Sequence, residues 1–234
     1  MSAIPAMRGL PLLRALQLAS QALPIGGYSH SHGLEAAIEA DIVRDETTLL
    51  RWTLDLLHFS VGAFEVSYLL DFYMAWERGL LNEVIRLNEE FLATRESAEL
   101  RAASVQMGYS MHRLLLQMPP VAAEFSNALG GVVEPSLPCV WAGAASIWSI
   151  SAEFALSAYL WAWAENQVLV GVKAVPLGQS VGQRVLFAVS EKIAALVARQ
   201  LEPRLHTRPR SNFSPALAIL SSRHETQYSR LFRS

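Results

Sequence analysis

The sequence contains a single cysteine, Cys139, among its 234 residues. One thiol excludes an internal disulfide, a CxxC pair and a cysteine-rich metal cluster, and it fits a reducing compartment, so a cytoplasmic location is expected. Lysine is nearly absent too, with Lys173 and Lys192 the two in the chain. Charged residues make up 17% of the sequence, below the quarter usual for a soluble domain. So little polar material implies either a very compact fold or apolar surface kept for a partner, and we read the second. Catalytic signatures are missing as well. GxxxxGK[ST], GxSxG, HExxH and GxGxxG do not occur, which excludes a P-loop and the common hydrolase, zincin and dinucleotide motifs. No enzymatic activity and no cofactor are expected of this chain by itself.

What is present is apolar: 52% hydrophobic residues and a mean hydropathy of +0.24, at a length that suits one large domain with a substantial core. The most apolar run, "PCVWAGAASIWSISAEFALSAYLWAWAENQVLVGV", is interrupted by Glu153 and Glu165. Neither half reaches the roughly 20 clean residues of a membrane span, so it reads as a buried helix or pair of helices. The N-terminal "MSAIPAMRGLPLLRALQL" lacks the features of a signal peptide. Charge is unevenly placed. From Pro203 to the end there are six arginines and one acid, Glu225, while the remaining chain is acidic. A basic tail on an acidic body marks an interaction segment, although a solvated terminus would look the same. Nucleic acid is excluded as partner because the acidic body would repel phosphate.

Helical periodicity dominates and no period-2 stretch stands out. Leu10 to Gln21 reads as a first helix, stopped by Pro24 and Gly26-Gly27. A second starts near Ser31 or His32. Asp45 caps a long helix broken at Gly62 and closed by Gly79. Further helices are expected over "LLNEVIRLNEEFLATRESAELRAASVQMGYSMHRLLLQM", over "VAAEFSNAL", through the apolar run, and over "SVGQRVLFAVSEKIAALVARQL". Ser214-Pro215 then opens one more. The expected fold is all-α: a single-domain helical bundle over residues 1–202 with a central hydrophobic helix, followed by a basic linker and C-terminal interaction tail over 203–234.

Four stretches carry information. In "PIGGYSHSHG", Gly26-Gly27 permits a tight connection, and His30 and His32 are weak candidates for a metal. Two histidines at i, i+2 do not share a helix face and need further ligands. In "TRESAELR", Arg95 and Glu99 stand four apart and read as a surface pair on a helix. In "ENQVLVGVKAVPLGQ", Lys173 reads as a snorkelling lysine or as a functional cation beside Glu165 or Gln179. In "SSRHETQYSRLFRS", Tyr228, Leu231 and Phe232 lie among Arg223, Arg230 and Arg233, a composition typical of interface hot spots.

Taken together and in this order, "ALPIGGYSHSHGLE", "TRESAELR", "ENQVLVGVKAVPLGQ" and "RHETQYSRLFRS" closely resemble the UreF family of urease accessory proteins. The resemblance runs from residue 20 to the end of the chain. It implies an all-helical scaffold that dimerises, binds the accessory protein UreD (UreH in some species) and with it recruits the GTPase UreG to apo-urease for nickel insertion. It also implies that Gly26, Gly27, Tyr28 and Ser29 in the loop, with Arg223, Tyr228, Arg230 and Arg233 in the tail, form the partner surface. Lys173 matches a family lysine associated with gating the GTPase activity of UreG. At His30 and His32 the chain departs from the family, which more often has an aromatic residue and then glutamine. Two other readings stand beside this one. A nickel metallochaperone would hold the ion through His30, His32 and a third ligand such as His224. A small helical enzyme would use Glu153 or Glu165 as acid–base group.

Overall fold

The computed structural model describes residues 9–118, 129–202, 210, 212, 214–228 and 230–233. The expected helix over "VAAEFSNAL" falls almost wholly outside them, as does most of the linker after residue 202. The described elements are helical, with no strand among them. They are α1 (Leu10–Ala19), α2 (Leu34–Glu39), α3 (Glu46–Phe59), a π-helical turn (Val61–Glu65), α4 (Val66–Glu77), α5 (Leu81–Ala93), α6 (Ala98–Leu115), α7 (Leu137–Ile147), α8 (Ala152–Ala174), α9 (Gln179–Gln200) and α10 (Pro215–His224).

Local chemistry explains most boundaries. Asp45 accepts from the backbone of Thr48, whose hydroxyl answers to the Asp45 N–H, a reciprocal cap that starts α3. Gly79 ends α4 at φ +65°. The apolar run is split by Ser149, at φ +54°, and Ser151 then caps α8 by accepting from Phe154 at 3.3 Å. The break at Gly62 is a π turn rather than a loop. A Cβ there would lie 2.1 Å from the Leu57 carbonyl oxygen, so the chain can pass only as glycine. The extra residue of that turn changes the register after it and brings Glu65 to the interior.

The core is organised on α8, which is buried around much of its length, including Leu156, Leu160, Ala164 and Val168. Helices α1, α2, α3, α4, α7 and α9 pack against it, giving the central apolar helix expected from the pattern. Tryptophans fill the space between layers, and three of them place the indole N–H on an acceptor: Trp52 donates to Gln167 Oε1, Trp76 to the Cys139 carbonyl and Trp141 to the Ala155 carbonyl, all at 3.1 Å. Among the described residues no helix is long and apolar enough to cross a membrane.

A composite surface of loop and tail

Between α1 and α2 the chain makes a turn with Gly26 at φ +80°, a conformation open to glycine and costly for other residues. One 3-10 turn, Gly27–Ser29, follows. Two side-chain amides of α8 fix this segment from below. Asn166 Nδ2 donates to the His30 carbonyl at 2.8 Å, and Gln167 Nε2 donates to the Ser31 carbonyl at 2.9 Å. Tyr28 is half-buried and its hydroxyl is bonded to Glu165, so burial first, and then the Glu165 charge, raise its pKa. Beneath the loop lies a chamber of about 90 Å³ whose wall includes Gly27, Tyr28, His32, Glu65, Arg95 and Trp163.

The tail returns to this loop. Helix α10 packs on α2 and α6, with Leu217, Leu220 and His224 buried. Beyond it, Leu231 N–H and Phe232 N–H donate to the two carboxylate oxygens of Glu35, at 2.6 and 3.0 Å. Phe232 is buried, and the Arg233 N–H donates to the Ser29 carbonyl at 2.7 Å. Arg230 reaches Glu99 at 2.8 Å, and Arg210 pairs with Asp71 and stacks on Tyr68, 4.1 Å from the ring centroid. The opposite charges of tail and body thus meet within the chain. What the tail leaves outward is Tyr228, fully exposed, with Leu231, Arg223 and Arg233 also exposed.

Of the residues singled out in the sequence, Tyr28 and Ser29 and the tail residues Tyr228, Arg230 and Arg233 lie on adjoining parts of one surface, joined at Ser29–Arg233. Lys173 does not join them. It is exposed in the last turn of α8, eight positions and about 12 Å along the helix from Glu165. The reading of "TRESAELR" needs correction. Arg95 lies in the break between α5 and α6, its side chain 5% exposed and paired with Glu65 and Glu96. Glu99 instead faces His224 and Arg230. Spacing alone suggested one helix; Ser97, which caps α6 by accepting from Leu100 at 3.1 Å, was the signal for two.

His30 is buried, and its pKa falls to about 4, through desolvation first and then the charges of His32 and Arg233. Burial also lowers His32. Their ring centroids are 6.3 Å apart, and His224 has each ring nitrogen on a carboxylate rather than beside them. Among the described residues, no group of three or more histidine, cysteine or acidic side chains could hold a metal ion. Glu153 is exposed and Glu165 is engaged by Tyr28.

The sequence pattern of the UreF family matches residues 43–190. This chain belongs to the UreF family. A urease accessory protein UreF of Azoarcus sp. (strain BH72) is 52% identical over the full length of both chains. One from Dechloromonas aromatica (strain RCB) is 48% identical, over 96% of this chain and 98% of the relative. Another from Methylobacillus flagellatus is 45% identical, over 95% and 97%. Residues 43–190 span the helical core of this UreF-family chain, whereas the full-length relatives also align with the loop and the tail.

Proposed function

We propose that this chain is a non-enzymatic scaffold of urease maturation. Its loop-and-tail surface receives a UreD-type partner, and the pair recruits and regulates the GTPase UreG on apo-urease. The observation that carries the reading is the full exposure of Tyr228 beside Leu231, on a tail whose neighbouring residues are fixed to the body by hydrogen bonds from Leu231, Phe232 and Arg233. An aromatic and an aliphatic side chain held out to solvent on a rigid support are a pre-formed anchor, with ordering entropy already lost before the partner arrives. A second apolar strip, Leu12 and Leu16 of α1 with Phe154 of α8, also exposed, suits the homodimer that goes with this reading. A scaffold is required because a GTPase switch acts on a metal site only through a body with different affinity for its two nucleotide states. The work is placed in the cytoplasm.

Co-expression with UreD tests the surface. Tyr228→Ala/Leu231→Ala is expected to lose co-purification while keeping the helical body, because neither side chain is packed. Capture at the wild-type level would reject the assignment.

A further inference from the structure

We infer that the tail is held on the body by a proton-dependent clasp formed by Glu35, His224 and Glu99. His224 is fully buried at the end of α10. Its Nδ1 lies 2.7 Å from Glu99 Oε2 on α6, and its Nε2 lies 3.1 Å from Glu35 Oε2 on α2. A neutral imidazole has one N–H and one lone pair, and an ionised carboxylate only accepts. A neutral ring between two carboxylates would therefore set a lone pair against a carboxylate oxygen. The geometry is satisfied when the cluster holds one further proton and each nitrogen–oxygen contact becomes a hydrogen bond.

The surrounding charges agree. From the tail, Arg230 Nη1 sits 2.8 Å from Glu99 Oε1. Imidazolium and guanidinium then balance the two carboxylates in a site with little access to water. Glu225, at the end of α10, touches the same corner through the Glu99 N–H at 3.4 Å, and Arg223 points outward from α10. The remaining contacts are neutral: α6 and α10 meet through the Ser97 and Ser221 hydroxyls at 2.6 Å, and α8 offers the amides of Asn166 and Gln167 to the loop. His30, in that loop, is kept neutral by burial. Losing the clasp proton leaves two buried carboxylates with one cation. Glu35 is also the carboxylate that accepts the Leu231 and Phe232 N–H groups, so the repulsion falls on the residues that dock the tail.

Docking is thus linked to uptake of one proton. The docked form is favoured at the lower pH and is released as pH rises through the clasp's deprotonation, the docking constant falling about tenfold per pH unit there. That the docked tail carries the partner surface rests on the function proposed above; the clasp itself is tested without any partner.

The test is an NMR pH titration of the isolated full-length protein. It follows the His224 ring nitrogens and the Phe232 side chain together. The expected result is a doubly protonated His224 ring whenever Phe232 is in its docked environment, with both signals changing in one transition as pH rises. In His224→Gln, which supplies one donor and one acceptor without titrating, residual docking should not vary across that transition. A neutral His224 ring in the docked state, or a Phe232 signal that stays docked after the ring loses its proton, overturns the clasp. The wild-type titration decides this even where the variant does not fold. Loss of UreD capture without any pH-linked tail release would leave the surface and refute the clasp.

Discussion

Arg95 and Glu65, thirty positions apart in sequence, form an ion pair inside the molecule with the guanidinium 4.5 Å from the Phe91 ring centroid. Tyr159 of α8 donates to the second oxygen of Glu65 at 2.8 Å. The pair joins the π turn, the break between α5 and α6, and the central helix. Burial opposes the Arg95 charge, but Glu65 and Glu96 outweigh it, and the guanidinium pKa is raised. Glu96 is itself pushed upward, by desolvation first. A buried pair of this kind is weak evidence of net stabilisation, yet losing one partner strands the other.

Arg95→Ala is therefore expected to lower stability by about 3–5 kcal/mol, seen as a lower urea midpoint. The double variant Glu65→Gln/Arg95→Met should cost less than the single one, since it leaves no unpaired Glu65. A single variant no worse than a surface substitution would contradict the assignment.

This pair also marks how far the sequence could be read. The capped start of α3, the glycine end of α4, the central apolar helix and the Pro215 start of α10 follow from residues within a few positions of one another, and each is where local chemistry placed it. Arg95 and Glu99 were misread because their partners, Glu65 and His224, come from elsewhere in the chain. The basic tail offered the same difficulty. Its charge excess was legible, but the acids that receive it, Asp71 and Glu99, are set by packing. Glu35, which holds the tail through two backbone N–H groups, had no local signal to set it apart from Glu39, the other acid of the same short helix.

Gly108 of α6 packs against the backbone that leads into α7, where a Cβ would lie 2.1 Å from the Pro135 carbonyl oxygen. Backbone cannot yield there as a side-chain tip can. Gly108→Ala should therefore destabilise by about 3 kcal/mol, at the upper end of overpacking costs, and lower the thermal midpoint by several degrees. An unchanged midpoint would show that the two helices separate freely.

His30 sets a pH dependence of the body opposite in sign to that of the clasp. Its pKa is about 4 when folded against 6.5 unperturbed, through burial and then the charges of His32 and Arg233. The unfolded chain therefore binds the extra proton more readily. Its contribution is complete above pH 6.5 and is lost as pH falls toward 4, by about 3 kcal/mol in all. His32, lowered by burial, acts in the same direction. Urea midpoints at pH 7.5, 6 and 5 should fall in that order, and His30→Asn should flatten the slope. A slope unchanged in the variant would assign the acid sensitivity to other groups.

Lys173 separates regulation from structure. Its side chain is exposed in the last turn of α8, and no ion pair holds it among the described residues. Lys173→Ala should thus change stability by no more than about 0.5 kcal/mol. It lies on α8 away from the Ser29–Arg233 contact, so capture of UreD should also persist. If the lysine regulates UreG, as the resemblance to the family implies, the variant changes GTP turnover in the assembled complex and nothing else. Turnover at the wild-type rate, with the complex intact, would remove Lys173 from the regulatory role and leave it as the charged end of an apolar helix.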